Sequence, residues 1–213
     1  FQTPLATLTL GLDALAKPTV YEHQEKLEKY RGLMQGQVNY LKQHINNLVK
    51  VIKTDSTGVV LQKERVSVNQ LRRDEVTRLH FTMSDEKGNV ALQLEKHDMQ
   101  VYADADNLFI AILNIISNAI KYSPDPHIIV TTRQDADTYT ISVKDNGVGI
   151  DEKYKKQLFK KFYRIPTGDL HNVKGLGLGL YFVKKIVDSH KGKILIHSIK
   201  NIGTEFSIQL PIS

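Results

Sequence analysis

The run Asp55-Ser56-Thr57-Gly58 divides the chain between two periodicities that no single regular element can hold. Upstream of it, apolar residues recur in steps of three and four. They are Leu5, Leu8, Leu12 and Leu15, then, past Pro18, Leu27, Met34, Val38, Leu41, Ile45, Leu48 and Ile52. Such steps make one stripe along a helix. Downstream, Asn89–Glu95 alternates apolar and polar residues, as a half-buried strand does. A polar linker containing glycine lies between the two patterns. The sequence therefore predicts an α+β protein of 213 residues in two domains. Residues 1–57 form a helical hairpin, and residues 58–213 form an α/β two-layer sandwich with a mixed sheet.

A two-helix hairpin has too little core to be stable alone. The stripe is long, and the opposite face carries Glu22, Glu25, Lys26, Glu28 and Lys29. Pairing with a second copy would bury both stripes in a four-helix bundle, so a homodimer is expected. Arg31 stands where an apolar residue would complete the stripe.

Composition narrows the function classes. There is no cysteine, which excludes disulfides and thiolate metal sites and fits a reducing compartment. The formal charge is +6, but the lysines are scattered apart from a group between Lys153 and Lys161. That distribution reads as a solvated surface, not a nucleic-acid groove. No apolar run approaches the roughly 20 residues of a membrane span. The opening Phe1-Gln-Thr-Pro reads as the start of a fragment, so any membrane segment is expected upstream.

In the second domain, Val59–Glu64 reads as a short strand, Ser67–Leu79 as a helix and Gln100–Ala103 as another strand. Asp104 or Asp106 caps a helix that runs to Tyr122 and ends before Pro124. Within it, Asn114 and Asn118 share one face at i, i+4. Asparagine competes with the helix backbone for hydrogen bonds, so a stacked pair in a well-made helix calls for a reason. The pair serves either as satisfied polar residues at the core rim or as two carboxamides facing a metal or phosphate. Lys121 and Tyr122 follow at the helix end. His127–Thr132 and Thr138–Lys144 read as paired strands. Asp145-Asn-Gly147-Val-Gly149-Ile150 then gives a turn whose carboxylate is able to accept a bond from an exocyclic amine.

Asp151 caps a short helix reaching about Leu158. The run Leu158-Phe159-Lys-Lys-Phe162-Tyr-Arg164 follows, its aromatics expected in the core. Residues 165–173 have no periodicity and read as a lid. Lys174-Gly-Leu-Gly-Leu-Gly-Leu180 runs into a helix, Leu178–Ser189. Alternate glycines let a backbone approach a ligand closely, and a helix start presents free N–H groups. This combination binds anions, phosphate above all, though a hinge or a packing turn would use the same glycines. Strands Lys193–Ser198 and Thr204–Leu210 close the chain around Gly203-Thr204.

Asn114-Ile-Ile-Ser-Asn118-Ala-Ile-Lys-Tyr-Ser resembles the asparagine box of sensor histidine kinases. Asp145-Asn-Gly-Val-Gly149 resembles their first glycine box, and Phe159-Lys-Lys-Phe162-Tyr-Arg164 their phenylalanine box. Gly175-Leu-Gly-Leu-Gly179 is similar to the second glycine box, and Gly203-Thr204 to the small third one. Five motifs stand in family order at family spacings, and the resemblance covers nearly the whole chain. The asparagine and glycine boxes are shared with type II topoisomerases, mismatch-repair ATPases and large heat-shock chaperones. The phenylalanine box and upstream hairpin select the histidine kinases. Phe1-Gln-Thr3-Pro4-Leu is similar to the end of the family's histidine box, which implies a phospho-accepting histidine upstream of Phe1.

The resemblance implies Mg-ATP as cofactor. Asn118 would coordinate magnesium, and Asn114 would assist through the metal or its waters. Lys121 would neutralise phosphate, and Tyr122 would border adenine. Asp145 would accept the adenine amino group in a pocket shaped by Gly147, Gly149, Ile150 and Thr204. Lys174, Gly175, Leu176, Gly177, Leu178 and Gly179 would cradle the phosphates, and Arg164 would reach the γ-phosphate. Leu176 departs from the family, which often has threonine or serine there. Thr3 matches a position that helps hydrolyse the phosphorylated partner. The implied function is the cytoplasmic kinase core of an inner-membrane sensor. It phosphorylates a histidine and passes the phosphate to an aspartate of a response regulator. A nucleotide-holding dimerisation module without transfer, or an ATPase of the topoisomerase or chaperone type, are the alternatives.

Overall fold

The computed structural model describes residues 2–67, 89–93, 100–166 and 175–212. The chain divides into two compact units, Phe1–Ser56 and Thr57–Ser213. Of the helix expected at Ser67–Leu79, Ser67 instead ends a strand and the rest, with most of the expected lid and Lys174, lies outside the described residues.

The first unit is helical: α1 (Gln2–Leu15), α2 (Pro18–Tyr21) and α3 (Gln24–Thr57). Proline opens α2, where its missing N–H costs nothing. The hairpin closes where α1 meets α3. A Cβ at Gly11 would stand 2.8 Å from the Met34 side chain, so the small residue lets the helices touch. Much of the apolar stripe stays exposed: Leu5, Leu12, Val38, Ile45 and Ile52 all face solvent. Arg31, the break in the stripe, pairs with Glu28 at 2.8 Å on the surface.

The second unit has β1 (Glu64–Ser67), β2 (Asn89–Gln93), β3 (Gln100–Ala103), α4 (Ala105–Lys121), β4 (His127–Gln134), β5 (Thr138–Lys144), α5 (Glu152–Lys155), α6 (Gly179–Ser189), β6 (Lys193–Ile199) and β7 (Gly203–Pro211). Five strands form one sheet in the order β2-β4-β5-β7-β6. β2 runs parallel to β4 and the other neighbours are antiparallel, so the sheet is mixed. β1 and β3 make a separate antiparallel pair. One face of the large sheet is apolar, with Ile128, Val130, Ile141, Val143, Phe206 and Ile208 buried. Onto it pack Leu108, Ile112, Ile115 and Ile116 of α4 and Val183, Ile186 and Val187 of α6. This is a sheet layer under a helix layer, and it places α4 beside α6.

The strand expected at Val59–Glu64 begins instead at Glu64. Its register is set across the pair, from Glu64 opposite Ala103 to Ser67 opposite Gln100. A strand exists only where a partner runs alongside, and residues 59–62 have none described.

Candidate functional site

The sequence folds so that α4 runs between the two glycine loops. Asp104 caps its start, accepting from the Asn107 N–H. Tyr122 ends it, its N–H returning to Asn118 and Ile120. Near its middle, Asn114 donates its amide hydrogens to the Ile110 carbonyl at 2.8 Å. That bond orients the side chain and leaves Oδ1 facing Gly179, where a Cβ would stand only 2.9 Å from it. At its end, the Tyr122 carbonyl accepts from the Val148 N–H at 3.1 Å and would lie 2.6 Å from a Cβ on Gly147. Asn114 thus touches one glycine loop and Tyr122 the other, about 12 Å apart along the helix. Asn118 lies between them, half-buried, and Lys121 is exposed at the last turn.

The loop after β5 is held from three sides. Asp145 Oδ1 accepts from the N–H groups of Gly147 at 2.8 Å and Thr204 at 3.0 Å. Asp145 N–H in turn donates to the Thr204 carbonyl. Both carboxylate bonds fall on one oxygen, which leaves Oδ2 as remaining acceptor capacity. Burial pushes this carboxyl above its ordinary range, although the Gly147 and Thr204 hydrogen bonds oppose the rise. Asn146 fastens the loop from outside, accepting from His127 N–H and donating to the Asp125 carbonyl. Gly149 packs its backbone against Ile199. Ile150 N–H donates to Ser198 Oγ at 2.7 Å, and Ser198 Oγ lies 2.9 Å from Thr204 Oγ1.

The second glycine loop leans on the phenylalanine-box segment. Gly177 has φ +69°, and a Cβ there would meet the Tyr163 carbonyl at 2.7 Å. Phe162 N–H donates to the Gly177 carbonyl at 3.1 Å. Only glycine meets both demands, a left-handed backbone and a backbone-to-backbone approach. Leu178 is buried just before α6, while Gly175 is exposed and Leu176 half-buried. Arg164 is exposed, one residue past Tyr163.

Of the residues read from the sequence, α4 carries Asn114, Asn118, Lys121 and Tyr122; Asn114 meets Gly179, and Tyr122 meets Gly147 in the loop that holds Asp145, Gly149 and Ile150 and is bonded to Thr204. Thr3 lies in α1 of the helical unit, exposed. The expected aromatic core is only partly there. Phe159 packs on the core, but Phe162 is 57% exposed, with φ +61°. Its backbone turns to follow Gly177, and the ring is carried outward. Two residues escaped the sequence reading. Ser198 ties Ile150 to Thr204, and nothing in an alternating strand marks it. Ser123, whose buried Oγ has no partner among the described residues, lies 2.8 Å from the Cβ position of Gly147.

The donor set suits a hard cation held with phosphate. Among the described residues no group of three His, Cys, Asp or Glu side chains stands together. The carboxamide oxygen of Asn114 faces the glycine loop instead. Magnesium takes oxygen ligands, keeps several waters and relies on substrate phosphates, so a carboxamide oxygen beside a glycine loop at a helix start fits it.

A family model described as "Histidine kinase-, DNA gyrase B-, and HSP90-like ATPase" matches residues 103–213, which contain the whole of this site. The chain belongs to that family. Along all of its length it is 31% identical to the sensor protein RprX of Bacteroides fragilis, of which it covers 41%. Along 99% of its length it is 30% identical to the sensor histidine kinase WalK of Bacillus subtilis, of which it covers 34%. The chain therefore spans less than half of these curated relatives, and the likeness extends through the helical unit. The histidine kinase ThkA, solved in complex with the response regulator protein TrrA, shares the fold over the whole chain, with a TM-score of 0.76 at 21% identity.

Proposed function

We propose that this chain is the kinase core of a two-component sensor histidine kinase. It binds Mg-ATP along α4 and passes the γ-phosphoryl group to a histidine. The observation that carries the reading is the helix laid between two glycine loops, touching one through Asn114 and the other through Tyr122.

Each residue acts from where it stands. Asp145 Oδ2 accepts the adenine amino group, and the loop bonds on Oδ1 fix its direction. Tyr122 borders the ring. Gly147 leaves room beside Ser123, and Ser198 holds Thr204 and Ile150 around the pocket floor. Amides of the 175–179 loop and the start of α6 receive phosphate oxygens. The hydroxyl that Leu176 lacks is replaced by these backbone donors. Asn118, helped by Asn114, holds the cation, and Lys121 adds positive charge. Arg164 reaches the transferring group from the segment that leans on Gly177. Bound Mg-ATP supplies the phosphoryl group and the charge neutralisation that transfer requires.

The acceptor is a histidine of the parent protein upstream of Phe1, in the box that Thr3-Pro4-Leu5 resembles. The phosphate then moves to an aspartate of a response regulator, a partner supported by the complex in which ThkA was solved. Thr3 assists hydrolysis of the phosphorylated regulator. The chain acts as a homodimer through α1 and α3, as the cytoplasmic part of an inner-membrane sensor. No described helix is long and apolar enough to cross a membrane.

Two measurements test the proposal. Asn118→Ala should lower Mg-ATP affinity while leaving magnesium-free nucleotide binding nearly intact; equal Mg-ATP affinity in both proteins would sink the metal assignment. A chain extended upstream through the histidine box and incubated with labelled ATP should carry acid-labile, base-stable label. Free phosphate with no protein label would favour the ATPase reading.

A further inference from the structure

His190 is buried, 3% exposed, at the end of α6, and no nucleotide-binding role falls to it. Both ring nitrogens are engaged. Nδ1 lies 2.8 Å from the Ile186 carbonyl, and the Asp104 N–H donates to Nε2 at 3.0 Å. An acceptor at Nε2 requires the neutral ring, with its proton on Nδ1 donated to Ile186. Asp104 is the cap of α4. Its carboxylate accepts from the Asn107 N–H at 2.9 Å, the Asn107 side chain at 2.8 Å and the Gln62 N–H at 2.8 Å. The bond between Asp104 and His190 therefore ties the first turn of α4 to the last turn of α6.

These helices meet again where Asn114, near the middle of α4, faces Gly179 at the start of α6. Asn114 lies ten residues, about 15 Å, beyond Asp104, and Gly179 lies eleven residues, about 16 Å, before His190. The two lengths match, as they must for two antiparallel helices that approach at both points. Between these two points the layer is apolar: Leu108, Ala111 and Ile112 share one buried cluster with Val183, Ile186 and Val187. Apolar packing is non-directional, whereas a hydrogen bond loses strength steeply with displacement and angle. The rung at His190 is thus what opposes sliding of α6 along α4.

We propose that His190 is a positioning residue: through the Asp104 N–H it sets the axial register of α6 on α4, and so the spacing between Asn114, Asn118 and the 175–179 loop. This rests on reading that loop as the phosphate site. The adenine end answers to different bonds, those of Asp145 with Gly147 and Thr204, and is independent of the rung. A register change therefore separates phosphate binding from adenine binding.

The test compares wild type, His190→Ala and His190→Gln by calorimetry, with two probes: the magnesium complex of a non-hydrolysable ATP analogue, and adenosine. His190→Ala should weaken the analogue on the order of tenfold, the size of effect that supporting side chains have on sites they orient. Adenosine should change by no more than about twofold, as for an independent site. His190→Gln, whose carbonyl is able to accept the Asp104 N–H, should recover most of the loss. If His190→Ala does not fold, His190→Asn, whose arm is too short to reach Asp104, takes its place. Equal losses for both probes, or no loss for either, would overturn the register role. Wild type binding neither probe would instead bring down the nucleotide reading, and this inference with it.

Discussion

At Asp145 one carboxylate answers two opposed demands. Burial disfavours its charge and pushes its pKa up, while the proposed adenine contact needs the charge to accept an amine. A carboxyl whose folded pKa lies above its unfolded value costs stability wherever it is ionised, and that cost is relieved as pH falls through the folded value. Asp145→Asn keeps an oxygen for Gly147 and Thr204 and discards the buried charge. Its melting temperature at neutral pH should equal or exceed that of wild type. Nucleotide affinity should fall roughly ten- to hundredfold, because a hydrogen bond to a charged group contributes about 1.5–3 kcal/mol. Calorimetry and a thermal melt on the same protein check both signs. Gly175 and Gly177 offer a second contrast at this scale. A Cβ on Gly175 meets nothing, whereas one on Gly177 meets the Tyr163 carbonyl in a left-handed backbone. Gly175→Ala should hold Mg-ATP affinity within about threefold. Gly177→Ala should lose more, with at least about 1–2 kcal/mol of strain, and should shift the Phe162 and Tyr163 amide resonances. Equal affinities in the two variants would show that the close approach has no bearing on binding.

Elements that carry their own signals were legible; elements defined by a partner were not. Asp104 or Asp106 announced the start of α4, where Asp104 proves to be the cap, and Pro124 its end, because a cap and a missing N–H act locally. The asparagine pair was legible for the opposite reason, as a local misfit in a good helix. β1 was misplaced because its four residues are chosen by pairing with β3, and the apolar residues before it are as strand-like in isolation. Phe162 was read as core because composition says nothing of a backbone turned by Gly177. His190 gave no signal, since its partner is 86 residues away. Its burial nevertheless makes a prediction about the α4–α6 layer. Burial holds the imidazole below its ordinary value, helped by Lys63 and opposed by the Ile186 carbonyl and Asp104. A depressed imidazole contributes stability that is whole above the unfolded value of about 6.5 and is lost as pH falls below it. Burial pushes the Asp104 carboxyl up, but hydrogen bonds from Asn107 and Gln62 outweigh it and leave it below its ordinary value. Its contribution therefore fails only below about pH 4. Between about pH 7.5 and pH 5.5 the wild-type melting temperature should drop through His190, and His190→Gln should flatten that part of the curve. Parallel curves for the two proteins would show that the ring does not titrate on unfolding.

For the whole molecule, the hairpin states its own incompleteness. Val38, Ile45 and Ile52 follow one another at steps of seven on α3, and all three are exposed. Met34, Leu41 and Leu48, at the same steps four residues earlier, are only half-buried. A row with a seven-residue period lies along one seam of a supercoiled helix. Within a single chain α1 covers only part of α3: it has 14 residues against 34. The remaining row asks for another helix, and a second copy supplies two. Each such side chain contributes about 1.5–3 kcal/mol when fully buried, enough over several pairs to hold a dimer against its association cost. Ile45→Asp places a charge in the middle of that row. Sedimentation velocity should show a dimer for the wild-type chain and a monomer for the variant. Mg-ATP affinity should be unchanged, because every residue assigned to the nucleotide lies in the second unit. A variant that stays dimeric would assign the row to some other partner. A monomer that had lost nucleotide binding would show that the pocket depends on assembly.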